Sequence, residues 1–393
     1  MVKDVLKPMK ELLKKERIDI LITHFTDPRD YPTEINTLRI FKENNIKFKE
    51  ICIKEEKVRE EVDFDFIFVG KRNNRFYYLY LYPLFCLIIF LFGMIKRPKV
   101  IIAYDLLAFF PSFIVSKFFN IPFLYHIHDI GEKNNAGFLG KIIVSFEMKF
   151  IKYIDILSMP SDKIFNLYEV GRKLPEKKFT VINTVSKYQN LNYPSRIKEI
   201  IKKYKNIKKW IVRTGGLGDD QCIKEIILSL IYLPEDIGLI LAGSIEDDFK
   251  EEIENLIKEK KLEKRVILLE FIPRKEVLGF LKNAFVGISL YKPVHINWLY
   301  PAPIKLSEYI ATGIPAIVND NEYFRVLNEK VGSFLFADPY SPKSIADAIM
   351  KIYKDKKLEK RLKENAKNSF KEFYNFEHQF EPVLKEIKRW IER

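Results

Sequence analysis

Residues 300–318 read YPAPIKLSEYIATGIPAIV, and this stretch decides how the C-terminal half of the chain is understood. Pro301 and Pro303 stiffen the approach to a helix whose first turn carries Lys305 and then Glu308. Gly313 stops that helix, and an apolar run begins a buried strand. Lys305 and Glu308 lie three residues apart and share a face. The free amides at the helix start, with the Lys305 ammonium, suit a diphosphate, and a carboxylate at Glu308 can accept two hydrogen bonds from vicinal hydroxyls. The competing reading is a surface ion pair on an ordinary amphipathic helix.

On either side of this stretch, short apolar runs alternate with helical patterns. The N-terminal half runs IDILITHF, PTEINTLRIFKENN, FKEICI, VDFDFIFVG, a long apolar segment, PKVIIAYD, a helix from about Pro111 to Asn120, IPFLYHIHD, YIDILSMP, a helix capped by Ser161-Asp162, and KFTVINTV. Such alternation predicts parallel strands joined by crossover helices. The lysine-rich stretch SKYQNLNYPSRIKEIIKKYKN reads as a linker and a surface helix, with the boundary near residue 190. Beyond it, KKWIV, IGLILAGS, RVILLEFI, VGISLY and PAIVND give five further strands with helices between them. The expected architecture is α/β, with two doubly wound, Rossmann-like domains over residues 1–190 and 191–371. A final helix at about 372–393, bearing Trp390, is expected to return to the first domain. Ligands of such sheets bind at the carboxyl ends of the strands, so the expected site is a cleft between two facing units.

The chain has 393 residues, 47% hydrophobic and 31% charged, enough apolar content to bury a core in each half and too much for wholesale disorder. A formal charge of +14 favours anionic partners. The lysines are spread over many helices and are not clustered with aromatics, which argues against nucleic acid. Cys52, Cys86 and Cys222 form no CxxC pair, so neither a disulfide framework nor a zinc site is suggested and a reducing cytoplasm is expected. The N-terminus lacks the continuous apolar run of a secretory signal. Phe76 to Ile95, FYYLYLYPLFCLIIFLFGMI, is free of charge and flanked by Arg75, Lys96 and Arg97. It reads as a buried helix, a helix lying against a membrane, or, least in keeping with Pro83 and Gly93, a crossing one.

Arg213, Gly215, Gly216 and Gly218 lie between the strand KKWIV and a helix beginning near Gln221, where glycines let the backbone approach a phosphate. A merely flexible turn is the equal alternative. No G-x-G-x-x-G or GxxxxGK[ST] loop exists, which removes the main support for dinucleotide, kinase and ATPase readings. His126 and His128 flank Ile127 at a strand end and point to one face. His128, next to Asp129, is the better candidate for substrate contact, with a structural histidine the alternative. Asp63-Phe-Asp65 resembles a metal motif only superficially, and no metal site is expected.

PAPIKLSEYIATGIPAIVND strongly resembles the donor-site signature of family 4 glycosyltransferases, retaining enzymes of the GT-B fold. RTGGLGDDQCIKEIILSL, IGLILAGS, RVILLEFIPRKEVLGFLKNAFVGISLYKP and VGSFLFADPYSPKSIADAIMKIYKD follow in the family's order over most of residues 210–355, while DPRD, KVIIAYD and LYHIHD carry a looser likeness in the first half. The resemblance implies that Glu308 holds the ribose, that the amides around Pro303, Ile304, Lys305 and Leu306 hold the diphosphate, and that His128 lines the cleft near the transferred sugar. It also implies retention of configuration without a required metal or other cofactor. This chain departs from the family in three places. Tyr300 stands at the first glutamate position, which touches the sugar. The basic pair that grips the diphosphate falls on Gly216 and Gln221, leaving Lys305 or Arg213 to compensate. THFTDPRDYPTE replaces the first glycine-rich loop. The expected function is transfer of a hexose-type sugar from a nucleotide-diphosphate donor to a glycan or lipid-linked acceptor in cell-envelope or polysaccharide biosynthesis, at the cytoplasmic face of the membrane. The alternative is a non-catalytic nucleotide-sugar-binding or scaffold partner.

Overall fold

A computed structural model describes residues 2–55, 62–71, 77–128, 138–187, 191–269, 272–294 and 303–393. Two compact units divide the chain: Met1–Ile182 with Gln379–Arg393, and Asn183–His378. The boundary expected near residue 190 thus falls inside the second unit.

The first unit is built on strands β1 (Ile20–His24), β2 (Phe48–Lys54), β3 (Phe66–Lys71), β4 (Val100–Tyr104), β5 (Phe123–His126), β6 (Ile156–Met159) and β7 (Lys178–Thr180). They form one sheet in the order β3-β2-β1-β4-β5-β6-β7, and every neighbouring pair is parallel. β1 and β4 are buried at every position, as Ile- and Val-rich strands must be when helices cover both faces. Those helices include α1 (Val2–Leu13), α2 (Pro32–Glu43), α3 (Tyr77–Lys96), α4 (Asp105–Phe119) and α5 (Phe138–Phe150).

The helix expected to begin near Pro111 instead begins at Asp105 and carries Pro111 inside it. Proline removes one helical hydrogen bond, but Ala108, Phe109, Ser112 and Phe113 around it are all buried, and that packing outweighs the loss. Asp105 takes a left-handed φ of 60°, which turns the chain from β4 directly into α4. α3 buries Phe85, Ile88, Ile89 and Phe92, so half of its circumference belongs to the core of the unit. Among the described residues, no helix is long and apolar enough to cross a membrane. The last helix, Phe376–Glu392, buries Phe380, Val383 and Ile387. Within the first unit, the Phe380 ring lies 6.0 Å from that of Phe41, and Lys388 Nζ donates to Asn44 Oδ1 at 2.7 Å.

The second unit repeats the plan with β8 (Lys209–Thr214), β9 (Ile237–Ala242), β10 (Val266–Leu269), β11 (Val286–Ser289), β12 (Ala316–Asn319) and β13 (Phe334–Ala337), in the order β10-β9-β8-β11-β12-β13. β13 is a sixth strand where the sequence suggested five. The short run FLFA offers little signal alone and gains its place by pairing with β12. Numbered within each unit, both sheets share the order 3-2-1-4-5-6, so both have a topological switch point, between β1 and β4 and between β8 and β11.

The helix Ile304–Thr312 lies against β11, where Gly287 leaves room for Tyr309: a Cβ on Gly287 would stand 2.5 Å from the Tyr309 ring. Gly287→Ala should therefore destabilise the second unit by about 1–3 kcal/mol. Urea unfolding followed by tryptophan fluorescence checks this, and an unchanged midpoint would show that the ring has room to give.

Candidate functional site

Each unit gathers polar side chains at its own switch point. In the second unit, β8 ends on Arg213 and Thr214, and Gly215 follows with φ 89°. Gly215 is fixed by its amide bond to Ala242 O at 3.0 Å, and a Cβ on Gly243 would lie only 1.7 Å from the Gly215 carbonyl oxygen. These glycines serve close backbone approach, as the positive φ at Gly215 requires.

Arg213 is fully buried. Its guanidinium donates to the Thr214 carbonyl and to Gln221 Oε1, and it stands 5.7 Å from the centre of the Tyr291 ring. Lys305 is buried as well, with its ammonium 5.2 Å from the same ring and 3.4 Å from the same Gln221 oxygen. Two cations therefore share one aromatic face and one amide oxygen. Cation–π contact and one amide recover only part of the cost of drying two charges. Burial first, and then the Arg213 charge, hold the Lys305 ammonium well below the ordinary lysine value, against the opposite pull of Glu308 and Asp220.

Lys305 stands in the first turn of the helix Ile304–Thr312, whose N-cap, Pro303, has no side chain to offer its amides. Such a helix start attracts anions through unpaired N–H groups and the helix dipole. Glu308, also buried, accepts a long 3.5 Å bond from Thr214 Oγ1. The Tyr309 hydroxyl donates to Ile288 O at 3.2 Å, tying this helix to β11. Gly216 carries no charge, and its own Cβ position would crowd the Gln221 amide at 2.9 Å. Leu306 lies in the core. Tyr300 is outside the described residues.

The first unit assembles a histidine–carboxylate chain from strand ends. Register sets His24 beside Tyr104 and Tyr104 beside His126. His24 Nδ1 lies 2.7 Å from Glu34 Oε2 on α2, and its Nε2 lies 3.2 Å from Asp105 Oδ2. The His128 amide donates to Asp105 Oδ1 at 2.9 Å, and its ring Nδ1 meets Asp105 Oδ2 at 3.1 Å. Burial works to raise the Asp105 carboxyl, but the charge and hydrogen bonds of His128 and His24 hold it well below the usual carboxylate range. Ionised Asp105 is an acceptor only, so His128 donates to it through Nδ1. That leaves His128 Nε2, which is buried and has no hydrogen-bond partner among the described residues. A buried imidazole nitrogen without a partner is suited to a ligand hydroxyl.

His126, by contrast, is bonded to Ser158 Oγ at 2.8 Å, and burial followed by the His128 charge holds it well below the ordinary histidine value. It reads as a neutral structural histidine. Burial pushes Glu34 and Glu50 well above the usual carboxylate range, and each feels the other. Donor atoms of His24, Asp105 and His128 lie within 4.8 Å of one another and could hold a cation. The hydrogen bonds from both rings to Asp105 already account for the facing atoms.

No curated protein matches this chain. The family model described as "Glycosyl transferases group 1" matches residues 175–369. This part of the chain is similar to that family. Among solved structures, sucrose-phosphate synthase from Thermosynechococcus elongatus aligns with a TM-score of 0.71 at 15% identity, covering 95% of this chain and 99% of that chain. Anabaena HepE in complex with UDP and glucose aligns at 0.68 with 14% identity, covering 94% and 99%. A UDP-N-acetylglucosamine 2-epimerase aligns at 0.63 with 12% identity, covering 96% and 97%. At these identities the likeness is one of fold, and the fold is GT-B.

In the matched region the structure brings Arg213, Gly215, Gly216, Lys305 and Glu308 together and adds Gln221, Thr214 and Tyr291 to them. In the first unit it places His24, Glu34 and Asp105 around His128. The sequence had flagged Gln221 only as a missing cation, and its amide now proves to join the two cations that remain. THF and KVIIAYD contained His24 and Asp105, but nothing local marked them as partners.

A carboxyl held above its ordinary value costs stability once pH exceeds that value, here 4.5 for Glu50, and the cost grows until the raised value is passed. Glu50→Gln should therefore gain on the unmodified protein progressively as pH rises above that point. Urea midpoints at stepped pH measure the difference, and parallel curves would contradict it.

Proposed function

We propose that this chain is a retaining glycosyltransferase that moves a hexose-type sugar from a nucleotide-diphosphate donor to a glycan or lipid-linked acceptor, with no metal required. One observation carries the reading: two buried cations, Arg213 and Lys305, converge beside an uncapped helix start at a switch point, inside a region matched by the group 1 model. Dry positive charge in that setting calls for a compact polyanion, and a diphosphate fits it. The epimerase neighbour shows that the fold alone does not choose the reaction, so the choice of transfer rests on the family match.

In this reading the amides of Ile304 and Lys305 and the Lys305 ammonium bind the diphosphate and stabilise charge as the bond from sugar to phosphate oxygen breaks, while the Leu306 amide is taken by Pro303 O. The new bond forms from an acceptor hydroxyl on the face the diphosphate leaves, and the hydroxyl proton passes to the departing phosphate oxygen. Glu308 accepts from the ribose hydroxyls. His128, with its Nδ1–H held by Asp105, presents Nε2 to a sugar hydroxyl. Arg213, Gly215 and Gly216 complete the donor site, with Pro303 fixing the helix start. The place of action is the cytoplasmic face of a membrane, in cell-envelope or polysaccharide synthesis.

The uncharged Gly216 and Gln221 favour a second reading, a non-catalytic nucleotide-sugar-binding or scaffold partner. Incubation with UDP- and GDP-sugars and acceptor extracts separates the two: nucleotide release that Glu308→Ala abolishes supports transfer, whereas tight binding without release under every acceptor supports the scaffold.

A bound diphosphate should also favour the charged form of Lys305 and raise its lowered value back toward 10.5. Binding of UDP or GDP is expected to take up a proton and to weaken as pH rises from the lowered Lys305 value toward 10.5. Lys305→Met should abolish the uptake and weaken binding about tenfold or more. Calorimetry in buffers of different ionisation heat reads both effects, and equal proton uptake by the variant would contradict the assignment.

A further inference from the structure

We propose that the outer faces of α3, α4 and α5 form one docking surface for an anionic lipid bilayer. α3 turns Phe85, Ile88, Ile89 and Phe92 inward, yet its opposite face is apolar too: Leu87 is 53% exposed, Met94 42% and Ile95 50%. An amphipathic surface helix carries polar residues on that side. Between Tyr77 and Ile95, α3 has no charged residue at all. Its neighbour continues the pattern, with Phe118 of α4 71% exposed and Ile114 39% exposed. The helices meet through Phe90, whose ring lies 5.7 Å from Phe118 and 5.7 Å from Phe119. On the other side, the half-buried Phe110 of α4 meets the half-buried Phe146 of α5 at 4.9 Å, and Ile142 of α5 is 49% exposed. The apolar surface is therefore continuous over three packed helices, a patch of the kind that marks a binding face.

The charge around this patch identifies the occupant. The three helices contain two acids, Asp105 and Glu147, and both are engaged elsewhere. Asp105 holds His24 and His128, while Glu147 is buried and accepts from the Tyr125 and Tyr168 hydroxyls. Of their basic residues, Lys117, Lys141 and Lys149 are exposed, as is Lys152 just beyond α5, while Lys96 at the end of α3 donates to the Lys14 and Glu16 carbonyls. A second copy pressed on this face would oppose lysine with lysine and supply no acid in return, which disfavours a symmetric dimer. A bilayer with anionic head groups answers both features, since apolar tips enter the acyl boundary while lysines near the surface are drawn to the head groups. α3 is held in the sheet along its inner face, so it lies on the membrane and does not cross it.

The inference deepens the lipid-linked acceptor reading, and rests on it for its purpose. The test uses the full chain with phosphatidylcholine vesicles, with and without phosphatidylglycerol, in a sedimentation assay. Binding should require phosphatidylglycerol and weaken with salt. It should fall about tenfold or more in Leu87→Glu/Phe118→Glu and, independently, in Lys117→Glu/Lys149→Glu, both of which alter exposed positions. Affinity for UDP or GDP should be unchanged in both variants, so a loss of lipid binding is separable from a failure of the transferase reading. Absence of binding to anionic vesicles, binding equal in variants and parent, or a solution dimer that the same substitutions dissociate would each overturn the proposal.

Discussion

Placing two positive charges side by side out of water is the constraint on which the second unit turns. Arg213 ends β8 and Lys305 begins the helix Ile304–Thr312, and they meet only because Gly215 bends sharply at positive φ and Gly243 lets its carbonyl approach. The protein itself offers these charges the Tyr291 ring, the Thr214 carbonyl and a shared amide oxygen, which is less than two buried cations need. The site is preorganised for a missing anion, at a stability cost that a bound ligand can offset. Gln221 is well chosen for this task. A carboxylate in its place would neutralise the pair and compete with a phosphate, whereas an amide positions the cations and leaves their charge available.

The first unit solves a different problem with the same sheet order. Its switch point gathers His24, Asp105 and His128 from three strand ends, and the carboxyls behind His24 keep that ring fixed. Because Asp105 stays ionised, His128 turns its Nδ1–H to that carboxylate and presents Nε2 to a hydroxyl. The left-handed turn at Asp105 is what delivers its carboxylate there, since an ordinary helix start would aim the side chain along α4.

What could be seen in the sequence was what local chemistry determines. Prolines before Lys305 and Gly313 after the helix fix its ends within a few residues, and the Lys305–Glu308 spacing follows from helical geometry. Parallel sheets were visible because buried strands read as unbroken Ile, Val and Leu runs. What escaped was set by distance along the chain. His24 and Asp105 are 81 residues apart, and Gln221 and Lys305 are 84 apart, so no local pattern links them. Pro111 was read as a helix start because proline favours that position, but core packing around it carries the helix through. β13 is too short to announce itself and exists by virtue of its partner strand.

The central claim is that an anionic carrier docks where the helix Ile304–Thr312 begins. A crystal structure with bound UDP or GDP tests it most directly. The account predicts phosphate oxygens within hydrogen-bonding distance of Lys305 Nζ and of the amides of Ile304 and Lys305, with ribose hydroxyls on Glu308. A nucleotide bound elsewhere, with the Lys305 ammonium still on Gln221 and Tyr291, would contradict it.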